Sequence, residues 1–532
     1  MTSDMTTPRR TTRLSPLSLR EILDQRVTED PSHVYCRFAG EALTIAGLHE
    51  RVNRFAHGLL EQGLVRGDRV AVMLPNTPDY VIAFLAMVRL GICQVPVNIN
   101  LRGDALQYLV DHSALRAMIV DARFADQMLP TLRPESLSLV ISQGGSVDPG
   151  FCTVAAFEAL AAHPDATTPR VVTSQEDTLL ICYTSGTTGA PKGVLVSDKM
   201  LQAAGWAAAW LGGARPGDVF HFWEPIYHIG GAEVVILGLL ERVTLAMVER
   251  FSVSSFWDEI RAQDCTHMHF LGGVAGMLLK QPPSPRDREH KLRVAWGGGC
   301  PRSIWRAFEE RFGVQIYECY GMTEASSFTT VNLDGRLGSV GKPLPYFDVK
   351  IADDTGRALP AGSQGEFWVR EKEPGVIMKG YFNNPAATQA ALVDGWLRTG
   401  DVGSCDADGF FYYAGRTKDS LRRRGENISA WEVERVFADH PAIAECAVIG
   451  VANEIDDQDL KLFVRLNAEA KIDPLDLVKW AEPRMPRFQI PRFIAMIDAF
   501  TKTPSERIRK ELLPKTTDSC WDLERSGYQL RR

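Results

Sequence analysis

The sequence predicts an α/β protein: a large N-terminal domain of parallel-sheet α/β units plus a β-rich unit, followed by a small, mobile α+β C-terminal domain. Three observations lead there. A chain of 532 residues is too long for one hydrophobic core, and 45% hydrophobic residues suffice to fill two or three. Through its first part, short apolar runs alternate with stretches of helical period, the pattern of a parallel sheet covered by helices on both faces. From Val340 to Tyr413 the pattern changes to short alternating runs separated by turn signals.

Taken in order, residues 1–18 carry the Arg9-Arg10 pair with no apolar run behind it, which reads as a flexible tail and not as a secretion signal. Leu48, Val52, Phe55 and Leu59 then recur at helical spacing. Val70 to Leu74 is a strand-like run, Val81, Phe84, Leu85 and Val88 resume the helical period, and Cys93 to Val97 is a second run after Gly91. Leu179 to Tyr183, Thr244 to Val248 and Val314 to Tyr317 read as later strands of the same kind. Asp348 to Ile351 and Gly365 to Val369, with the turns DDTG, PAGSQG and DADG, form the β-rich unit at about 340–415. After the charged stretch RTKDSLRRRGEN, helix signals return in SAWEVERVFADH, where Ser429 and Glu432 suit a capping box. The expected division is an N-terminal domain over 19–418, a C-terminal domain over 419–515, and a flexible tail over 516–532.

The formal net charge is −7, so nothing in the global balance draws the chain toward nucleic acid or an anionic membrane. No stretch approaches the ~20 uninterrupted apolar residues that span a bilayer. Ten cysteines are scattered without a CxxC pair, which suits reduced thiols and a cytoplasmic location. His267 and His269, two apart in THMHF, are explained by one face of a strand and propose no metal ligands.

The strongest local feature is YTSGTTGAPKG, Tyr183 to Gly193, directly after an apolar run. Thr184, Ser185, Thr187 and Thr188 supply hydroxyl donors, Gly186 and Gly189 let backbone N–H groups approach phosphate oxygens, and Lys192 supplies positive charge. It is not a Walker loop, since Pro191 stands where GxxxxGK[ST] needs glycine. Further motifs follow in order: WEPIYHIGG, AWGGGCP, YECYGMTEAS, GYFNNPAAT, GWLRTGDVG and YYAGRTKDSLRRRGENISAWEVE. With these, the chain resembles the adenylate-forming superfamily of acyl-CoA synthetases, aryl-CoA ligases, firefly luciferase and peptide-synthetase adenylation domains, over roughly residues 15 to 515. RRRGENIS looks most like its crotonobetaine/carnitine-CoA ligase branch.

The resemblance implies ATP and Mg²⁺ as cofactors, with CoA as co-substrate. By that match Tyr320 lies beside adenine, Thr323 near the α-phosphate, and Glu324 on magnesium, where a hard oxygen ligand suits the ion. Gly298, Gly299 and Cys300 line the purine and acyl pockets, together with the run Glu318, Cys319, Gly321 and Met322. Asp401 accepts from the ribose hydroxyls and Arg416 contacts ribose or phosphate, against a DxG turn and a solvated arginine as plain alternatives. His228 stands by the acid pocket and thioesterification channel, with a satisfied core histidine as its rival. Asp419 matches the hinge of a rotating C-terminal domain. Gly425 then approaches the second substrate, and Arg422, Arg423 and Arg424 either meet CoA phosphates or form a solvated face. The acid pocket is expected to draw on His228, Phe270 to Val274, Trp296 to Cys300 and Tyr320 to Ser326.

One departure stands out. The family carries PxTxSGK near its C-terminus, and its lysine bridges the acid carboxylate and the α-phosphate. This chain reads FTKTPSERIRKELL, in register through Ile508, Lys510 and Leu513, so Glu506 and Arg507 occupy the glycine and lysine positions. Arginine keeps a permanent charge and binds two oxygens, but its planar fork is not a point charge. The expected function is an acid:CoA ligase, monomeric or homodimeric, acting on a small or aromatic acid. Two alternatives stay open: a diazotase-type ligase that activates nitrite for an aryl amine, and a non-catalytic nucleotide-binding homologue.

Overall fold

The computed structural model describes residues 14–101, 103–129, 132, 136–184, 191–271, 273–416, 420–423, 426–452, 458–485, 487–503 and 508–530. Two large sheets form the N-terminal part. In the seven-stranded sheet, strands at 153–156, 139–143, 117–121, 69–73, 93–96 and 178–184 run parallel in that spatial order, and the strand at 192–197 closes the edge antiparallel. The nine-stranded sheet has a parallel centre made of strands at 315–320, 294–298, 267–271, 219–222, 244–247 and 34–38, with antiparallel strands at both edges. The strand-like runs read from the sequence therefore belong to two separate sheets.

The helices that cover them start and stop where local chemistry dictates. The Ile45–Glu61 helix is capped by Thr44, whose hydroxyl accepts from Gly47 N at 3.1 Å, and buries Leu48, Val52, Phe55 and Leu59 on one stripe. The Pro78–Leu90 helix opens on proline and stops at Gly91, whose φ of 66° is the left-handed cap conformation that glycine adopts without strain. Residues 347–352, 364–371, 392–393, 396–405 and 411–416 make a five-stranded antiparallel sheet, the β-rich unit. Beyond it, a hairpin of 420–423 with 426–429, the Ala430–Ala438 helix and a four-stranded mixed sheet gather around a core that includes Ile428, Val433, Leu462 and Val478. That helix starts directly after Ser429; the side chains of Ser429 and Glu432 lie outside the described residues.

Packing reaches into both segments that the sequence reads as tails. Leu14 is buried, and the carbonyl of Leu17 accepts from Gln175 and Gln202, each at 2.8 Å. Ser18 and Glu21 cap the first helix reciprocally. At the other end, Trp521–Asp522 pairs antiparallel with the Phe493–Met496 strand, and Arg492 bridges Asp459, Asp522 and Glu524. A two-residue strand held by an ion network leaves no periodicity to read.

Candidate active site

The Thr178–Thr184 strand pairs antiparallel with Lys192–Ser197, setting Thr184 opposite Lys192. The connecting Ser185, Gly186, Thr187 and Thr188 lie outside the described residues. On the other side of the Lys192–Ser197 strand, residues 380–382 run alongside: Leu195 N donates to Gly380 O at 3.2 Å and Phe382 N to Gly193 O at 2.7 Å. That pairing sets the Lys192 ammonium 4.8 Å from the centre of the Tyr381 ring, a favourable cation–aromatic separation. The Tyr381 hydroxyl in turn donates to Glu324 Oε1 at 2.9 Å. Residues 192, 381 and 324, far apart in the chain, thus form one continuous line.

Glu324 sits in the short 3₁₀ turn Thr323–Ala325, after Met322. The chain bends sharply here because Gly321 lies against Ser327; a β-carbon at 321 would fall 1.9 Å from the Ser327 carbonyl oxygen. Met378 N fixes the turn by donating to Glu324 O at 2.9 Å. Burial holds the Glu324 carboxyl above its ordinary range, opposed by the Tyr381 hydroxyl and by Arg416. A buried carboxylate with an arginine nearby is the kind of hard oxygen donor a magnesium ion takes, so the residues present fit that ion.

Asp401 and Arg416 face each other across paired strands, in register. The Asp401 carboxylate, 3% exposed, accepts from the Tyr320 hydroxyl at 2.7 Å and lies 3.2 Å from Arg416 Nε. The Tyr320 ring rests on Phe367 with centroids 4.5 Å apart. Asp401 of the β-rich sheet is thereby joined to Tyr320 of the nine-stranded sheet.

The wall beside them is backbone. Gly297 has φ of 153°, and a β-carbon there would lie 1.9 Å from the carbonyl oxygen of Phe270. Gly297→Ala should therefore lose more than about 3 kcal/mol of stability, read as a fall in denaturation midpoint, with unchanged solubility and midpoint as the contrary result. Beyond it, Gly299 N donates to Glu318 Oε1 at 2.5 Å, and Cys300 N to Glu318 Oε2 at 3.2 Å. The Glu318 side chain thus holds the Gly298-Gly299-Cys300 loop. The Cys319 thiol is likewise turned to Gly297 O at 3.0 Å.

Burial pushes the Glu318 carboxyl up from about 4.5 to about 8, against the two loop N–H groups. Between those values the folded state binds more protons than the unfolded one. Its contribution therefore falls as pH rises through that window and is level above it. Glu318→Gln should remove this slope in denaturation midpoints measured across the window; equal slopes in the two proteins would contradict it.

His228 is the N-cap residue of the Ile229–Leu240 helix, half-buried, with its ring 4.9 Å from that of Tyr227. Asp419, Arg424, Gly425 and Arg507 lie outside the described residues, as do the side chains of Arg422 and Arg423. On either side of Arg507 the chain is fixed: Lys502 bridges Ile508, and Arg509 N donates to Thr501 O at 2.9 Å. Tyr381 is the site residue that sequence reasoning missed. Its signal is GYFNNPAAT, a motif recognised without a part assigned to any residue in it.

Comparison with known proteins agrees with this geometry. The family model described as AMP-binding enzyme matches residues 23–382, and the AMP-binding enzyme C-terminal domain matches 432–507. The crotonobetaine/carnitine–CoA ligase of Salmonella typhi is 32% identical over 495 residues, covering 90% of this chain and 94% of its own. The o-succinylbenzoate CoA synthetase of Bacillus subtilis, solved with its acyl-adenylate intermediate OSB-AMP, superposes with a TM-score of 0.80 at 25% identity, covering 92% of this chain and 97% of its own. The same synthetase solved with ATP and magnesium ion gives a TM-score of 0.80 at 25% identity, covering 92% and 98%. The chain belongs to the AMP-binding enzyme family, the adenylate-forming ligases that include the acyl-CoA synthetases.

Proposed function

We propose that the protein uses ATP to convert a small or aromatic carboxylic acid into its acyl adenylate, releases pyrophosphate, and passes the acyl group to CoA. The observation that carries the reading is the convergence of Lys192, Tyr381 and Glu324 with Arg416, Asp401 and Tyr320. Two cations, two buried carboxylates and two phenols there suit a nucleotide with its metal. Thr184 and the 185–188 loop hold phosphates, Asp401 and Arg416 hold the ribose, and Tyr320 with the Gly298–Cys300 loop flanks adenine. Glu324 holds Mg²⁺, which when bound supplies charge neutralisation on the phosphate oxygens. The acid's carboxylate oxygen attacks the α-phosphorus in line while the bond to pyrophosphate breaks. Lys192 and Arg507 offset the negative charge that builds on the phosphoryl oxygens, with Thr323 beside them.

In the second half-reaction the C-terminal domain turns about Asp419 and brings Gly425 and the arginines at 422–424 toward CoA. The thiolate attacks the activated carbonyl, AMP leaves, and His228 guards the channel between. No enzyme nucleophile is required.

The test is ATP–pyrophosphate exchange across aliphatic, aromatic and hydroxylated acids and nitrite, without CoA, followed by thioester detection with CoA. Exchange with a carboxylate and a CoA thioester are the expected results; exchange with no carboxylate sinks the reading. The substitution of Glu506-Arg507 for the family's glycine and lysine favours a second reading, in which nitrite is activated and its nitrosyl group passes to an aryl amine. Exchange with nitrite alone would put that reading first. ATP binding without exchange for any acid would leave a nucleotide-binding homologue.

A further inference from the structure

The Ala430–Ala438 helix, the first of the C-terminal part, is seated on the N-terminal part at both of its ends. At its start, Trp431 meets the ring of Tyr413 edge-on, with centroids 5.8 Å apart and planes at 80°. Tyr413 lies on the strand at 411–416 that ends in Arg416, and its ring also stands 5.8 Å from that of Tyr320, at 31°. Arg435, one turn along the helix, lies 5.1 Å from the centre of the Trp431 ring. Just past the helix end, the Asp439 carboxylate accepts from the Ser303 hydroxyl, and the Ile443 carbonyl accepts from Lys280 Nζ at 3.1 Å. Ser303 belongs to the Arg302–Phe312 helix, which begins directly after Cys300 and Pro301. Lys280 follows the Val274–Leu279 helix, which packs on Arg302–Phe312 where a β-carbon at Gly276 would lie 3.6 Å from Ile304 Cδ1.

We infer that the Ala430–Ala438 helix is a clasp across the adenine end of the nucleotide site, with Trp431 and Asp439 as positioning residues that tie docking of the C-terminal part to nucleotide binding. The inference rests on the nucleotide reading above, in which Tyr320 and the Gly298–Cys300 loop flank adenine. The two ends of the helix rest on those two flanks: Trp431 reaches the first through Tyr413, and Asp439 reaches the second through Ser303. Eight residues of α-helix set the two contacts about 12 Å apart along the axis, so one rigid element spans both. Adenine held between the flanks fixes the spacing on which the helix sits, and a seated helix fixes the spacing that adenine enters. Such coupling is reciprocal, each event favouring the other by the same factor. Trp431 carries the larger share, since an aromatic pair at a junction outweighs a hydrogen bond between the exposed Ser303 and Asp439.

The experiment measures AMP binding to the full chain by titration calorimetry. Trp431→Ala should weaken AMP by about 10-fold, while Trp431→Phe, which keeps a ring against Tyr413, should stay within about 3-fold of wild type. In a double-mutant cycle the effect of Trp431→Ala should shrink below about 3-fold once Tyr413 is leucine, because the path to Tyr320 is then already cut. Asp439→Ala, at an exposed position, should weaken AMP by about 3-fold, and it decides the matter if Trp431→Ala does not fold. A residue that only stabilises the fold would lower the melting point and leave AMP affinity where it was. Wild-type affinity in the folded Trp431→Ala variant, or additive effects at 413 and 431, overturns the inference and leaves the nucleotide site standing. Failure of the wild type itself to bind AMP overturns the nucleotide reading and the inference with it.

Discussion

Replacing Arg507 with alanine should slow ATP–pyrophosphate exchange by about 100- to 1000-fold, while thioester formation from a synthetic acyl adenylate changes far less. The argument is one of charge. Adenylation gathers negative charge from the incoming carboxylate, the α-phosphate and the departing pyrophosphate, and the loss of one well-placed cation is felt in the transition state more than in binding. Thioester formation discharges AMP and leans on a different domain arrangement, so the two half-reactions should separate. Arg507→Lys restores the family's point charge at the same register and should keep most of the exchange rate, because the flanks of the segment are fixed by the Lys502–Ile508 bridge and by the Lys510–Glu434 ion pair at 2.8 Å. Undiminished exchange in the alanine variant would remove Arg507 from the mechanism.

Glu324→Gln should cost exchange about as much, with a rise in the KM for ATP–magnesium, and yet leave the protein as stable or more so. The carboxyl is 6% exposed and burial raises its affinity for a proton, so ionising it in the fold opposes folding. Glutamine keeps the shape and can still accept from the Tyr381 hydroxyl. The sign is checkable: above the ordinary carboxylate range the folded wild type loses stability as pH rises, so the melting-point advantage of glutamine should widen with pH. A variant with lost activity and a lower melting point would mark Glu324 as a structural residue.

Much of the fold was legible because burial is written in local period. Leu48, Val52, Phe55 and Leu59 are all fully buried on one helix, and the DDTG, PAGSQG and DADG turns separate strands of the β-rich sheet as their residues require. The site was legible as motifs and not as contacts. Nothing in the sequence says that Tyr381 reaches Glu324, because the pairing of residues 380–382 with the Lys192–Ser197 strand is long-range and made of backbone. Glu318 reads like its neighbours in YECYG until its side chain is seen turned onto the loop.

The crowded glycines bear on how this sequence tolerates change. At positions 297 and 321 a β-carbon would land 1.9 Å from a carbonyl oxygen, so a saturation library should return glycine alone at both. A surface made of main chain cannot be retuned by point mutation, so single substitutions leave these two positions no room to drift.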